Sequence, residues 1–486
     1  MAHRGHPLTA GAEHDEPASA RRGGWPGGHG RGGTGLAWLE AALAVAAYAV
    51  LCVLVLSVAP RLVEPDDYAY RASIVAMTEG HFLTLSGAQA QALAQALGGP
   101  GAHGPVGGRI PGGPGVIPQW VQLGDGQWIS EKDPGYPFLA APFQALGIIR
   151  WAPLFYGALA CAGLFAGARR WLGRFGGAAA VGLYCSSGAA LLFAWRDYMP
   201  TFADASLIAA GSGALLWAVL AAEASERRRT WAGLAGFVML EAATFTRYTD
   251  IVVLGCAAMA VLAVWWRGAA RLPFSAVGWW LASVAGFGVG VAVFDGLVYG
   301  GLLTTGYRPG EISFGLRAIA PNLRYMPAHP LQAMPVLVLG LVSLGWIIVR
   351  WIRLRGVSGD AGFAVRRDLW VGVALAASWF AVWGLYAAYF WTANPFGTTL
   401  QFARFYMPAL GAISLLGAWL VTRIPGPAWV AGLTSGTVIA VMFGLGTWSY
   451  HAMTGTEIGA SIKAAQASRQ APVPALPGSA APPARG

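Results

Sequence analysis

The chain has 486 residues, of which 56% are hydrophobic and only 11% are charged, with a formal net charge of +10. Soluble domains carry about 25% charged residues, so a water-soluble multidomain protein is excluded. The positive charge does not indicate a nucleic-acid partner, because the only lysines are Lys132 and Lys463 and the arginines lie in small groups between apolar runs, as in polytopic membrane proteins. The 4 cysteines all lie inside apolar runs, which predicts neither a zinc site nor a disulfide framework.

Apolar runs close to the length of a membrane span recur along the chain. A span needs about 20 apolar residues, and about 11 runs approach this length. They lie at 36–59, 151–168, 175–195, 199–222, 231–246, 249–266, 274–295, 331–349, 369–391, 405–422 and 428–449. The sequence therefore predicts an all-α polytopic membrane protein with about 11 transmembrane helices. The fifth and sixth runs are the shortest, and a re-entrant pair is the alternative for them.

The ends of the chain differ from the membrane region in composition. Residues 1–35 are rich in Gly, Arg, His and Pro, and residues 451–486 are rich in Ala and Pro, so both are predicted to be disordered tails. Residues 36–450 form the predicted membrane domain, with a first external loop at 60–150 and a second large external loop at 299–330. Since many further runs follow the first one, it is predicted to be a retained anchor and not a cleaved signal peptide.

Arginine predicts the orientation, because basic residues are retained on the cytoplasmic side. If the N-terminus is cytoplasmic, every short inside loop is basic and both large loops are external. The inside arginines are then Arg169, Arg170, Arg174, Arg227, Arg228, Arg229, Arg267, Arg271, Arg350, Arg353, Arg355, Arg366, Arg367 and Arg423. The excess of Arg over Lys, with abundant Ala and Gly, is typical of a high-GC bacterial genome. The predicted location is therefore a bacterial plasma (inner) membrane.

The first external loop is long enough to be functional. It contains helical periodicity over about 69–97, a Gly/Pro-rich insert at 98–115 and an apolar run at 136–149. That run is too short to span a bilayer, so it predicts an interfacial or re-entrant helix. The loop is expected to lie on the membrane surface.

Two adjacent carboxylates, Asp66 and Asp67, begin this loop in EPDDYAYRAS. Neighbouring carboxylates repel each other, and a raised pKa on one of them would suit it to take a proton from a hydroxyl. A solvated loop start or a helix N-cap is the alternative interpretation. The pair is therefore a candidate catalytic site, for which further residues must be found.

Three cations are candidates for binding a phosphate. Lys132 is the only lysine before the C-terminal tail, and its compact, rotatable charge suits a phosphate oxygen; a snorkelling interfacial cation is the alternative. Arg404 begins the tenth run, where its guanidinium either grips a phosphate bidentately or anchors the interface among aromatic residues. Arg247 lies three residues before Asp250, a spacing that also allows a self-contained ion pair.

Acidic residues near the fourth and fifth runs complete the candidates. Asp197 lies in an external loop, and Asp204 lies inside the fourth span, where ionisable groups are functional candidates. Asp204 either hydrogen-bonds a sugar hydroxyl, orients another site residue or caps a helix. Glu241, deep in the fifth run, is predicted to make a structural contact between helices.

The candidates share one side of the membrane under a topology that other arginines determine. They are Asp66, Asp67, Lys132, Asp197, Asp204, Arg247 and Arg404. Carboxylates that can accept a proton and cations that can hold a phosphate, facing a bilayer, are what transfer from a lipid-linked phosphate donor requires.

Several of these segments resemble motifs of the GT-C superfamily of polytopic membrane glycosyltransferases. The chain is most similar to the bacterial relatives of protein O-mannosyltransferases and of lipid A aminoarabinose transferases. The motifs are PDDYAY (65–70), EKDPGYPFLAAPF (131–143), the Asp-Ala-Ser at 204–206, TRYTD (246–250), DGLVYGGLLTTGY (295–307) and RFYMPAL (404–410). Asp133 stands where the family's Lys-Pro-Pro-like segment has its first proline.

The resemblance implies an inverting glycosyltransferase that moves a hexosyl or pentosyl group from a polyprenyl-phosphate donor to a hydroxyl of a glycan, lipid or protein. Asp66, in preference to Asp67, would be the base, and the insert at 98–115 would be a lid. The implied phosphate ligands are Lys132, Arg247 and Arg404, and the implied supporting residues are Asp197, Asp204, Tyr70 and Tyr307. No cofactor is assigned; a divalent metal beside the acidic residues occurs in some members of the superfamily and not in others.

The main alternative is a transporter or flippase of a lipid-linked or anionic substrate. Transporters often have related halves and charged or broken helices near the bilayer midplane. The sequence contains no internal repeat, and its charges lie at one edge of the predicted membrane region. A structural subunit with an inert acidic pair is a further alternative.

Overall fold

The computed structural model describes residues 33–58, 65–81, 84–97, 119–122, 126–268, 270, 272–302, 304–307, 312–393 and 398–457. The Gly/Pro-rich insert and nearly all of both predicted tails lie outside these residues. The chain divides into a short unit, Met1–Leu39, and a compact unit, Glu40–Gly486. The described part of the first unit is the beginning of helix α1.

Helices dominate the described residues. In chain order they are α1 (Gly33–Leu56), α2 (Pro65–Thr78), α3 (Gly87–Leu97), α4 (Gly135–Ala145), α5 (Trp151–Leu172), α6 (Gly176–Cys185), α7 (Gly188–Ala194), α8 (Thr201–Leu220), α9 (Glu226–Thr246), α10 (Ile251–Trp266), α11 (Phe274–Tyr299), α12 (Ile319–Tyr325), α13 (Ala328–Ala333), α14 (Leu337–Leu354), α15 (Gly359–Ala387), α16 (Thr399–Tyr406), α17 (Leu410–Val421) and α18 (Ala428–Ala452). Short 3₁₀ helices lie at Tyr248–Asp250, Leu316–Ala318, Trp391–Ala393 and Met407–Ala409, and a π-helical turn lies at Met453–Glu457.

Among the described residues, 9 helical stretches are long and apolar enough to cross a membrane, or up to 10 if one bent pair is a single span. The prediction of an all-α polytopic membrane protein is confirmed, and each predicted run falls on a helix. The count of eleven is not confirmed. The run 175–195 is the bent pair, in which α6 and α7 meet at 62°, and the run 231–246 belongs to α9, whose first turns carry Glu226 and three arginines.

The break between α6 and α7 falls at two serines. The Ser186 hydroxyl donates to the Leu183 carbonyl, and the Ser187 hydroxyl donates to the Ala333 carbonyl at 3.3 Å. Side-chain donors of this kind satisfy carbonyl groups where the helical hydrogen-bond ladder is interrupted. The break is therefore polar but carries no charge.

In α9, Glu241 accepts a hydrogen bond from Ser283 of α11 at 2.7 Å, which is the structural contact predicted for it.

The first external loop contains a small sheet that the sequence did not predict. The single helical stretch expected over 69–97 is two helices, α2 and α3, separated by strand β1 (Thr84–Leu85). With β2 (Trp120–Gln122) and β3 (Trp128–Ser130), this strand forms an antiparallel sheet in the order β1-β3-β2. The sheet encloses a small apolar core with α2 and α3. Its last strand leads directly to Lys132, so the sheet fixes where that lysine emerges.

The end of the helices predicted to be cytoplasmic contains a buried carboxylate, Asp368 of α15, which is 2% exposed. It forms ion pairs with Arg350 at 2.9 Å and Arg423 at 2.7 Å, and it accepts hydrogen bonds from the indoles of Trp171 and Trp419. Three of the loops predicted to lie inside therefore meet at the same end of the bundle. Tyr386 lies eighteen residues further along the same helix, a distance of about 27 Å at 1.5 Å per residue. It contacts Arg247 at the opposite end of the helix from Asp368.

Replacing Asp368 by Ala should destabilise the protein strongly. The change removes the acceptor of two partly exposed arginines and of two buried indole N–H groups. Breaking a buried ion pair costs about 3–5 kcal/mol, which is the upper bound here. Thermal unfolding of the purified protein in detergent measures this effect. Glu223→Ala is the matched control, because Glu223 pairs with Arg170 but is 64% exposed; such pairs contribute about 1 kcal/mol or less. Equal losses of stability in the two variants would contradict the assignment.

Candidate active site

Three residues predicted from the sequence meet in one ionic cluster. Asp66 lies in the first turn of α2, Lys132 follows β3, and Arg404 lies in α16. The Lys132 Nζ atom is 3.2 Å from Asp66 Oδ1, and Arg404 Nη1 is 2.6 Å from Asp66 Oδ2. All three side chains are largely buried, with 8–14% of their surface exposed. One carboxylate therefore binds two cations that approach from different parts of the fold.

Tyr307 covers Lys132. The Lys132 ammonium donates to the Tyr307 hydroxyl at 3.3 Å and lies 5.0 Å from the centre of its ring. The preceding residue, Gly306, packs directly on the end of β3, since a Cβ at that position would lie 2.6 Å from the Ser130 carbonyl oxygen. Only glycine allows this approach, so Gly306 is what brings Tyr307 over the lysine.

Arg247 forms a second layer behind the cluster. Its guanidinium donates to the Arg404 carbonyl at 2.8 Å and to the Tyr386 hydroxyl at 3.0 Å. Its Nη1 atom also lies 3.9 Å from the carboxylate of Asp204, which is fully buried in the first turn of α8. Arg247 is therefore held by several elements and does not form the self-contained surface pair with Asp250 that its spacing allowed.

The start of α4 ties the lysine loop to this second layer. Gly135 packs on the end of α9, where a Cβ would lie 2.4 Å from the Phe245 carbonyl carbon. This close approach brings Asp133 to the turn between α9 and α10, where the Tyr248 N–H donates to Asp133 Oδ2 at 3.4 Å. Asp133 is a member of the site that was not among the predicted site residues. The only sequence signal was its departure from the family's proline.

The charges of the site push the pKa values of its carboxyl groups in opposite directions. Burial raises the pKa of Asp66, but the Lys132 and Arg404 charges outweigh it and hold this pKa below its usual range. Burial raises the pKa of Asp133 to about 7, against the Tyr248 hydrogen bond and the Lys132 charge. The raised pKa expected within the Asp66–Asp67 pair is therefore not found at Asp66, because two cations stabilise its ionised form.

Asp67 lies in a different environment. Its carboxylate binds the Arg196 guanidinium through two contacts, at 2.6 and 3.2 Å, and both residues are buried. The contact joins α2 to the segment between α7 and α8. The adjacent carboxylates thus point to different cations, and the structure does not bring Asp67 to Lys132.

Asp197 and Tyr70 both contact Tyr136, outside the Asp66–Lys132–Arg404 cluster. Asp197 is 3.9 Å from Arg150, whose guanidinium donates to the Val55, Leu56 and Val58 carbonyls at the end of α1. Burial raises the pKa of Asp197 to about 7. Tyr70 lies one turn after Asp66, is 4% exposed and packs edge-on against Tyr136. Asp197 and Tyr70 support the fold around the site. Tyr386, which accepts from Arg247, does the same, and the sequence offered no signal for it.

The acidic residues do not form a ligand set for a divalent metal. Asp66, Asp67 and Asp204 each face a different cation. Within the part of the chain that the structure describes, no group of three or more His, Cys, Asp or Glu side chains could hold a metal ion.

A cavity opens beside the cluster, with about 320 Å³ of space that includes its solvent-exposed part. Lys132 and Pro134 line one wall, and Ser73, His81, Trp120 and Tyr299 line the others. The lysine loop therefore borders a small cavity that is open to solvent.

No protein-family model matches the chain, and no curated protein matches it. Among solved structures, it is similar to ArnT from Cupriavidus metallidurans bound to undecaprenyl phosphate, with 16% identity and a TM-score of 0.45 over 84% of this chain and 64% of that chain. It is also similar to the Archaeoglobus fulgidus oligosaccharyltransferase in the apo form, with 11% identity and a TM-score of 0.46 over 85% of this chain and 56% of that chain. The chain thus spans less than two thirds of either protein.

With identities of 11–16% and TM-scores below 0.5, these are similarities to other proteins and assign no family to this chain. The fold and the site define a polytopic membrane protein with a buried ionic cluster at one end of its helices.

Asp67→Asn should reduce stability, because it leaves the buried Arg196 charge without its carboxylate. The expected loss is about 3–5 kcal/mol, measured as a lowered unfolding temperature in detergent. Glu79→Gln, an exposed change just after the same helix, is the control. Unchanged stability together with loss of activity would instead support the catalytic role that the sequence suggested for Asp67.

Proposed function

We propose that the chain is a membrane glycosyltransferase that moves a sugar from a polyprenyl-phosphate donor to an acceptor hydroxyl on the external face of a bacterial plasma membrane. The observation that carries the proposal is the cluster in which Asp66 binds both Lys132 and Arg404. The undecaprenyl phosphate in the ArnT structure is consistent with this class of donor.

The two cations match the two free oxygens of the donor phosphate. A sugar-linked lipid phosphate is a phosphodiester with one negative charge and two free oxygens, so Lys132 and Arg404 can each bind one of them. Arg404 is also flanked by the rings of Trp391 and Phe405, at 5.3 and 4.8 Å, which limit its orientation. Arg247 adds positive charge behind Arg404. These cations would stabilise the charge that grows on the phosphate as the glycosidic bond breaks.

Asp66 is the proposed base, as predicted from the sequence. In the structure its carboxylate is bound by the same cations that would bind the donor, so it is ionised but a weak base. When a phosphate takes those cations, Asp66 loses their stabilisation and its pKa rises towards the ordinary carboxyl range. It can then accept the acceptor's hydroxyl proton as the oxygen attacks the anomeric carbon with inversion.

A transporter or flippase is less well supported by the structure than a glycosyltransferase. The bent pair α6–α7 is the kind of broken helix that transporters use, but its break consists of two serines that donate to protein carbonyls. Asp66, Lys132 and Arg404 lie in the first turn of α2, after β3 and in the last turn of α16, and not in the middle of a long helix as a transporter's midplane site would. This arrangement favours a reaction at the membrane surface.

The proposed orientation puts the N-terminus in the cytoplasm and the site in the periplasm or outside the cell. A membrane-impermeant thiol reagent should therefore label Gln122→Cys, in the exposed loop sheet, from outside intact cells or spheroplasts. Arg228→Cys, exposed at the start of α9, should be labelled only after permeabilisation. The reverse pattern would contradict the proposed orientation.

Lys132→Ala should weaken the binding of lipid phosphate, because one of two charge-assisted contacts is lost. We expect the Kd for undecaprenyl phosphate in nanodiscs to rise at least tenfold, about 1.4 kcal/mol. Arg228→Ala, which removes a positive charge from the opposite end of the bundle, is the control. A wild-type Kd for Lys132→Ala would contradict the phosphate assignment.

Asp66→Asn should abolish transfer while preserving lipid binding. Loss of a general base lowers the rate by about 10²–10⁴-fold, whereas the freed Lys132 and Arg404 should bind undecaprenyl phosphate at least as tightly as before. Transfer is measured with a panel of undecaprenyl-phosphate hexoses and pentoses and cell-envelope acceptors. Normal turnover in this variant would exclude Asp66 as the base.

A further inference from the structure

The Asp368 cluster, at the end of the helices predicted to be cytoplasmic, contains more positive than negative charge. Hydrogen bonds reach its carboxylate from the guanidinium groups of Arg350, Arg367 and Arg423 and from the indoles of Trp171 and Trp419. A carboxylate offers about four lone-pair sites, so these donors leave Asp368 no capacity for another one. A single negative charge therefore faces three positive charges.

Arg350 and Arg423 use few of their donors in this cluster. A guanidinium has five N–H groups. Within the residues that the structure describes, each of the two arginines spends one on Asp368 and forms no other side-chain hydrogen bond or ion pair. Their side chains are 28% and 33% exposed. Both guanidinium groups are therefore accessible to a second anion.

The two guanidinium groups are also close enough to bind one phosphate together. Arg350 Nη1 and Arg423 Nη2 lie 2.9 and 2.7 Å from the same oxygen of Asp368, so their separation cannot exceed the sum of these two distances. The Trp419 ring lies 5.2 Å from the Arg423 guanidinium carbon and limits its orientation. The buried carboxylate thus preorganises two cations that come from different helices, α14 and the end of α17.

Crowding of positive charge is visible at Arg423. Burial lowers the pKa of Arg423, and the charges of Arg350 and Arg367 lower it further, against the effect of Asp368. A second anion at this position would offset the repulsion among the three guanidinium groups.

The surface beside these arginines is apolar and exposed. Trp346 lies one turn before Arg350 on the same face of α14 and is 53% exposed. Ile424, which follows Arg423, is 44% exposed. A soluble phosphate ion gains nothing from such neighbours, whereas a phospholipid carries its acyl chains next to its phosphate. The combination therefore favours a lipid.

We propose that Arg350 and Arg423 bind the phosphate group of an anionic phospholipid in the leaflet at this end of the protein. The inference concerns the end of the helices opposite the candidate active site and does not depend on the proposed function. Basic pockets between transmembrane helices on the cytoplasmic side bind acidic lipid headgroups in this way. The bound lipid would connect α14 to the end of α17. Exposed basic residues add positive charge around the site; they are Arg353, Arg355 and Arg366.

The first test measures lipid binding to the whole protein in a nonionic detergent by native mass spectrometry. Phosphatidylglycerol should bind about tenfold more tightly than phosphatidylcholine, which has no net charge. The double variant Arg350→Gln/Arg423→Gln should raise the Kd for phosphatidylglycerol about tenfold and leave that for phosphatidylcholine unchanged. Wild-type affinity for phosphatidylglycerol in the double variant would overturn the proposal.

The matched control is the double variant Arg227→Gln/Arg228→Gln. It also removes two positive charges on the side predicted to be cytoplasmic, from exposed positions at the start of α9. We expect this control to bind phosphatidylglycerol as the wild type does. If it loses as much affinity as Arg350→Gln/Arg423→Gln, the lipid responds to the overall charge of this side and the site assignment fails.

A second measurement separates a lipid from a soluble anion. The rise in unfolding temperature on adding a ligand is compared with each protein's own value without ligand, so a less stable variant is not mistaken for a non-binding one. Phosphatidylglycerol should stabilise the wild type, and inorganic phosphate at the same concentration should not. If inorganic phosphate stabilises it equally and Arg350→Gln/Arg423→Gln removes that effect, the site binds a soluble phosphate and the lipid assignment fails.

Single substitutions at Arg423 provide the test if the double variant does not fold. Arg423→Lys keeps the charge but loses the planar fork that binds a phosphate through two N–H groups, and Arg423→Gln loses both. Affinity for phosphatidylglycerol should therefore decrease from the wild type to Arg423→Lys and again to Arg423→Gln. Equal affinity in all three proteins would overturn the proposal.

Discussion

The contact of Asp66 with Lys132 and Arg404 is the interaction on which the end of the molecule predicted to be external depends. Charges removed from water are tolerated only when they are paired. This contact joins residues 338 positions apart in the sequence, and it can form only if the loop sheet delivers Lys132 and α16 delivers Arg404. Three features position Lys132 for this contact. They are the loop sheet, the packing of Gly306 on β3 and the packing of Gly135 on α9.

Arg247 restrains the cluster of Asp66, Lys132 and Arg404 from behind. Arg247 donates to the main chain of Arg404 and to Tyr386, so the start of the last buried span is tied to the end of α9 and to α15. At the other end of the bundle, Asp368 gathers arginines in a similar way. The Asp66 cluster and the Asp368 cluster therefore lie at opposite ends of largely apolar helices. The scarcity of charge made Asp66, Lys132 and Arg404 visible in the sequence, whereas Asp368 was not singled out.

The sequence predicted the features that a membrane imposes. Apolar length located the helices, and the cost of a charge near the bilayer singled out Asp66, Lys132, Arg247 and Arg404. Features that depend on tertiary contacts were missed. Nothing local indicates that Asp66 and Asp67 bind different cations, that Ser186 and Ser187 interrupt a span, or that Tyr386 holds Arg247. Asp133 was visible only as a departure from a family motif, and its significance came from burial, which the sequence does not encode locally.

An ionic cluster that neutralises itself has a chemical consequence. In the proposed reaction, a phosphate would compete with Asp66 for both cations, because Asp66 already binds them, and the exchange that binds the donor would release the carboxylate. Donor binding and the appearance of a base are then one event. Such a site would not expose a free base to water before the donor arrives. The lowered pKa of Asp66 is therefore compatible with a base that acts only when the donor is bound. The exchange also accounts for a carboxylate at the position where the phosphate is proposed to bind.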